Sequence, residues 1–228
     1  MFRVMIGWTL LAATMAAAQV PDAAQALAAR YGVESWSQVE ELRYTFNVVS
    51  SRGETHRGWI WRPREGTVTR QVSGEGDVTF HESDSTRLED DPMQRPDRQF
   101  INDQYWLLFP FHLVWDSTVT VTDDGPQAAP LELGTMPRIT AQYHSEGGYT
   151  PGDAYELSVD EAGLVRAWNF RSGGGSEGRP MLWTELRRLG PLTITTEFSN
   201  PDSGTRLWFS DVSAVISGEE VALEPLSN

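Results

Sequence analysis

Tyr105-Trp106-Leu107-Leu108-Phe109-Pro110-Phe111-His112-Leu113-Val114-Trp115-Asp116 decides how this chain folds. The sequence around it is built of short alternating segments, whereas this run is aromatic and aliphatic and is cut once by proline. A run of this kind has to be buried, either against the chain's own sheet or against an apolar ligand. Asp97 is placed to cap a helix from Arg98 to about Phe109. Pro110 lacks a backbone N–H and clashes with the preceding turn, so it is expected to end that helix.

Upstream of the run, Asp22 to Tyr31 is alanine-rich and stops at Gly32, which suits a left-handed C-cap. Ser35 and Gln38 have capping-box spacing for a brief second helix through Glu41. The period then becomes two. Strands are expected over Glu41–Ser50, Thr55–Pro63, Gly66–Ser73 and Asp77–His81, joined by tight turns. The acidic, proline-bearing stretch Glu82–Arg98 reads as a loop. Strands resume at Val119–Thr122, Arg138–His144, Ala154–Val159, Leu164–Arg171, Met181–Leu189, Leu192–Phe198 and Thr205–Val212. Turn clusters such as Asp123-Asp124-Gly125-Pro126 separate them. Short strands with short joints form an antiparallel meander. The fold class is therefore mainly β (α+β). It is a single curved antiparallel sheet, or half-barrel, of about eleven strands, with N-terminal helices and the central helix on its concave face.

Met1-Phe2-Arg3, the apolar stretch Val4–Ala18 and the small residues Ala16-Ala17-Ala18 predict a cleavable signal peptide over residues 1–18. An apolar stretch of that length falls short of the roughly 20 residues a spanning helix needs. Residues 19–228 then form a single domain, exported to the periplasm, with no integral membrane span. The chain has no cysteine, which excludes disulfides, thiolate chemistry and a lipid-modified terminus. Its 18 basic and 32 acidic residues give a net charge of −14, which repels nucleic acid and anionic membrane surfaces.

Motifs for chemistry are weak. Gly174, Ser176 and Gly178 match a hydrolase elbow, and Gly173, Gly175 and Gly178 a dinucleotide loop, but both need a following helix and a strand is expected there instead. His56, His81, His112 and His144 are scattered without ligand spacing, and Glu89-Asp90-Asp91 lacks the regular spacing of a calcium loop. No catalytic residue, metal or cofactor is expected, and the chain reads as a non-enzyme. The aromatic pattern says more. Tyr44 with Phe46, Trp59 with Trp61, and Trp168 with Phe170 each share a strand face by alternation, as do Met181 and Trp183. With Trp106 and Phe109 from the central helix, Tyr44, Phe46, Trp59, Trp61, Trp168, Phe170 and Trp183 are candidates to line an apolar ligand site.

A tryptophan (Trp36) before the first strand, the run Tyr105–Phe111 followed by leucine, and Thr150-Pro151-Gly152-Asp153 with Tyr155 and Trp168 carry a resemblance. On these marks the chain resembles a family of uncharacterised bacterial exported proteins related to the outer-membrane lipoprotein-sorting carriers, the LolA/LolB-like group. The resemblance implies a half-barrel closed by helices around a hydrophobic cavity, which in the carriers accepts acyl chains. A binding or carrier protein for a lipid or other hydrophobic small molecule is thus the leading expectation. A carbohydrate-binding module or glycosidase with exposed tryptophans is the alternative, as is an envelope scaffold whose partner is another protein.

Overall fold

The computed structural model describes residues 19–72, 74, 76–82, 90–146 and 149–226. The expected signal peptide lies outside the described residues, as do residues 83–89 of the expected acidic loop, Glu89 among them.

The first helix, α1, runs Asp22–Tyr31, and Gly32 follows it with φ 92°, the left-handed C-cap expected. Gly32 is needed there twice over. An L-residue in this conformation costs about 1–2 kcal/mol, and a Cβ would sit 2.5 Å from the Pro191 carbonyl oxygen. Gly204 also has a left-handed φ, 67°, but faces open space. Gly32→Ala is therefore expected to lower the urea midpoint clearly more than Gly204→Ala; equal shifts would remove the close approach from the explanation. After Gly32 a 3-10 turn over Val33–Gln38 replaces the expected short helix, and the first strand begins earlier, at Val39.

Twelve strands form one antiparallel sheet among the described residues. They are β1 Val39–Ser50, β2 Gly53–Arg62, β3 Thr67–Gln71, β4 Val78–His81, β5 Val119–Ala128, β6 Thr135–Tyr143, β7 Ala154–Val159, β8 Val165–Arg171, β9 Arg179–Leu189, β10 Leu192–Asn200, β11 Thr205–Ile216 and β12 Glu219–Pro225. Their order is β4-β3-β2-β1-β11-β10-β9-β8-β7-β6-β5, with β12 off this path and paired to both β11 and β9. All eleven expected strands are present, and β12 is additional. The expected turn at Asp123–Pro126 is instead a bulge inside β5, where the register against β6 shifts between Asp123 and Gly125. The real connection lies over residues 129–134.

The central helix, α2, spans Gln94–Trp115 and differs from expectation at both ends. It starts four residues before Arg98. Pro96 tolerates this because the first four N–H groups of a helix have no internal partner anyway. Asp97 does not cap; it is buried within the first turn, where its Oδ2 accepts the Tyr149 hydroxyl at 2.6 Å. Pro110 kinks the helix instead of ending it, with Leu108 at φ −123° and ψ 20°. The chain continues helically because the residues after Pro110 have burial waiting. Phe111 and Trp115 pack on Trp36, ring centroids 5.9 and 5.2 Å away, and Trp36 lies 4.9 Å from Trp61. Fully burying an aromatic contributes about 1.5–3 kcal/mol, so the buried Phe111 and the partly buried Trp115 together offset the lost backbone bond.

Candidate functional site

Strand pairing decides which side chains face α2. Leu42, Tyr44 and Phe46 of β1 stand opposite Trp61, Trp59 and Arg57 of β2. Alternation therefore puts Arg57 in the same inward row as two tryptophans, and an inward cation requires a partner. Asp103 of α2 supplies it. The Arg57 Nε and Nη2 donate to the two Asp103 carboxylate oxygens at 2.7 and 2.6 Å. Trp59 Nε1 donates to Asp103 Oδ2 at 2.9 Å, and Asn102 Nδ2 donates to Asp103 Oδ1 at 3.0 Å. The Asp103 side chain has no solvent exposure. Burial pushes its carboxyl above the ordinary range, against the pull of Arg57, Asn102 and Trp59. The guanidinium also lies 4.6 Å from the Phe46 ring centre. This cluster ties the helix to β2.

Beside it the sheet and helix border a half-open cavity of about 810 Å³. From α2, Arg98, Ile101, Asn102 and Tyr105 reach it at i, i+3, i+4 and i+7 spacing, one helical face. The sheet contributes Phe46, Tyr155, Trp168, Phe170, Met181 and Leu207, and Arg57, Tyr149, Asp153 and Arg179 also line it. A second, shallow depression shares Arg57, Arg98 and Asn102 with it and adds Gln94, Arg95 and Gln99.

Of the residues expected to line a ligand site, Phe46, Trp106, Trp168 and Phe170 border this cavity. Tyr44, Trp59, Trp61, Phe109 and Trp183 are buried in the core behind it. Phe109 packs on Tyr155 and Trp168 with centroids 4.5 and 5.3 Å away, and Trp183 on Trp168 at 5.5 Å. They back the wall rather than form it. Sequence reading left out Arg57, Tyr105 and Tyr155; for Arg57 the signal was present, since it shares parity with Trp59 and Trp61.

Tyr105 is held in the wall by a second polar cluster. Its hydroxyl and that of Tyr143 donate to Asp116 Oδ2 at 2.8 and 2.6 Å. His112 bridges Asp116 (2.9 Å) and Gln104 (3.1 Å), and its ring stacks on Tyr105 at 3.9 Å. His112 thus faces an amide on the side away from its carboxylate, where a triad would place a nucleophile. Burial pushes the Asp116 carboxyl up, but hydrogen bonds from His112, Tyr143 and Tyr105 outweigh it and hold the group below the ordinary range. A carboxyl held low in the folded state contributes stability above its unfolded pKa and loses it as pH falls through the folded value. Urea-unfolding stability is thus expected to drop below about pH 4. Asp124, Glu156 and Glu197 are also held low, so Asp116→Asn is expected to flatten part of that drop. An identical acid profile would show that the cluster is not coupled to folding.

The glycine-rich segment after β8 is exposed and leads directly into β9, so neither motif there has the helix its chemistry requires. Among the described residues no group of three or more His, Cys, Asp or Glu could hold a metal, and no helix is long and apolar enough to cross a membrane.

Fold and cavity define an antiparallel half-barrel closed on one side by a kinked helix. No family model matches the chain, and no curated protein matches it. Among solved structures it is similar to a DUF1329 family protein from Desulfovibrio piger, at 10% identity over 86% of this chain and 93% of that one, TM-score 0.46. It is also similar to a putative outer membrane lipoprotein-sorting protein domain from Vibrio parahaemolyticus (10% identity, 85% and 91% covered, TM-score 0.45). A LolA superfamily protein from Nitrosomonas europaea gives 9% identity, 83% and 92% covered, and TM-score 0.44. At such identity they say nothing about residue roles.

Proposed function

We propose that this chain is a non-enzymatic periplasmic binding or carrier protein that holds a lipid or other apolar ligand between sheet and helix. The observation that carries the reading is the cavity of about 810 Å³ walled by Phe46, Trp106, Trp168 and Phe170. Its size falls within the roughly 300–1,000 Å³ of small-molecule sites, and its walls have their apolar character. Each methylene buried there would gain about 0.8 kcal/mol, enough for micromolar binding of an acyl chain after the costs of association. Sugar stacking through exposed tryptophans is disfavoured because Trp59, Trp61 and Trp168 are buried and Trp106 is half-buried.

The test is mass spectrometry of an organic extract of the natively purified protein, paired with uptake of an apolar fluorescent dye by the delipidated protein. Copurified lipid, or dye uptake reversed by added lipid, is the expected result. Absence of both would overturn the reading. Envelope fractionation tests the compartment, with the protein expected in the periplasmic fraction.

A further inference from the structure

The shallow depression beside the cavity is lined by Arg57, Gln94, Arg95, Arg98, Gln99 and Asn102. None of these is a carboxylate, in a chain with 32 acidic and 18 basic residues. Arg57 is committed: two of its nitrogens serve Asp103. Gln99 is committed as well, accepting from Arg70 at 2.8 Å. Arg95 and Arg98 have no ion pair among the described residues, although most other arginines do. They lie three residues apart on α2, hence on one face. Arg98 borders both spaces, and the next residues along its face, Ile101 and Tyr105, lead into the apolar chamber.

Two other charged residues, Asp153 and Arg179, line the chamber itself. Asp153 already accepts the Gly173 N–H at 2.7 Å and so anchors its loop. Arg179 lies 5.8 Å from the Phe170 ring, over the opposite wall. The arrangement is amphipathic: Arg98 lines the apolar chamber and Arg95 the adjoining depression, and neither has an ion pair among the described residues. Guanidinium forks match carboxylate and phosphate oxygens in a way that neutral or cationic groups cannot use.

We propose that the ligand is an anionic amphiphile, its acyl chain in the chamber and its carboxylate or phosphate head on Arg95 and Arg98. This rests on the apolar-ligand reading above. The experiment measures binding of four probes sharing one chain, oleate, 1-oleoyl-lysophosphatidate, oleyl alcohol and oleylamine, to the delipidated full domain by displacement of an apolar dye. An anionic probe is expected to bind about tenfold or more tighter than the alcohol, and the better anion identifies the head. Arg95→Gln with Arg98→Gln, both exposed and outside the core, is expected to abolish that preference, the anionic probes then binding this variant no tighter than oleyl alcohol does. Equal binding of all four probes would overturn the head seat and leave the apolar reading standing. Tighter oleylamine binding, or loss of preference only in Arg179→Gln, would also overturn it by moving the seat elsewhere. Binding of none would overturn both readings.

Discussion

Asp103→Ala is expected to destabilise the fold by about 3–5 kcal/mol, because it leaves the largely buried Arg57 guanidinium without its counter-charge. The Asp103 side chain is wholly buried and receives hydrogen bonds from Arg57, Trp59 and Asn102. Its removal orphans the indole N–H as well as the cation, and the desolvation of both has then no compensation. The measurement is urea unfolding followed by tryptophan fluorescence. A loss under about 1 kcal/mol would mean that Arg57 finds water instead, and that the pair does not anchor α2. A double variant separates pairing from burial. Replacing Arg57 with methionine and Asp103 with the similarly sized valine removes both charges and nearly keeps the volume, so most of the stability is expected to return.

Phe109→Ala is the second large effect, about 3–5 kcal/mol from the cavity left in a packed core. Phe109 is fully buried against Tyr155 and Trp168, below the cavity wall. Trp106, three residues earlier, is half-buried and borders the cavity. Its replacement by alanine is expected to cost less stability and to change ligand or dye affinity instead. Unfolding curves and dye binding on the two variants give opposite rankings if the helix divides in this way. The same ranking in both assays would show that the wall and its backing are one unit.

The contrast between these two neighbours shows what alternation and helical spacing can reveal. Period two placed Tyr44, Phe46, Trp59, Trp61, Trp168 and Phe170 on inward faces, because a strand's geometry is local. Which of those rings end under the helix and which face open space depends on how far α2 runs across the sheet, a tertiary fact. The helix itself was visible from its apolar run, but both ends were decided elsewhere. Burial sites for Phe111 and Trp115 carried it through Pro110, and the first-turn tolerance for proline let it start at Gln94. Gly32 was fully legible, since a left-handed cap is a local requirement that glycine meets. The polar seats were the least visible. Arg57 and Asp103 are 46 residues apart, and no local rule pairs them.

The bulge in β5 has a consequence for the molecule among its neighbours. β5 and β4 stand at the two ends of the strand order, and each pairs with one strand only among the described residues. A free strand flank is a template on which another chain can add, the first step towards aggregation. β5 meets that hazard with Asp123, Asp124 and Pro126 around its register shift, charges and a missing N–H where an incoming strand would need a regular ladder. β4 meets it by being only four residues long. In a cysteine-free chain, whose covalent structure does nothing to hold its two flanks closed, this segment serves as a guard against self-association.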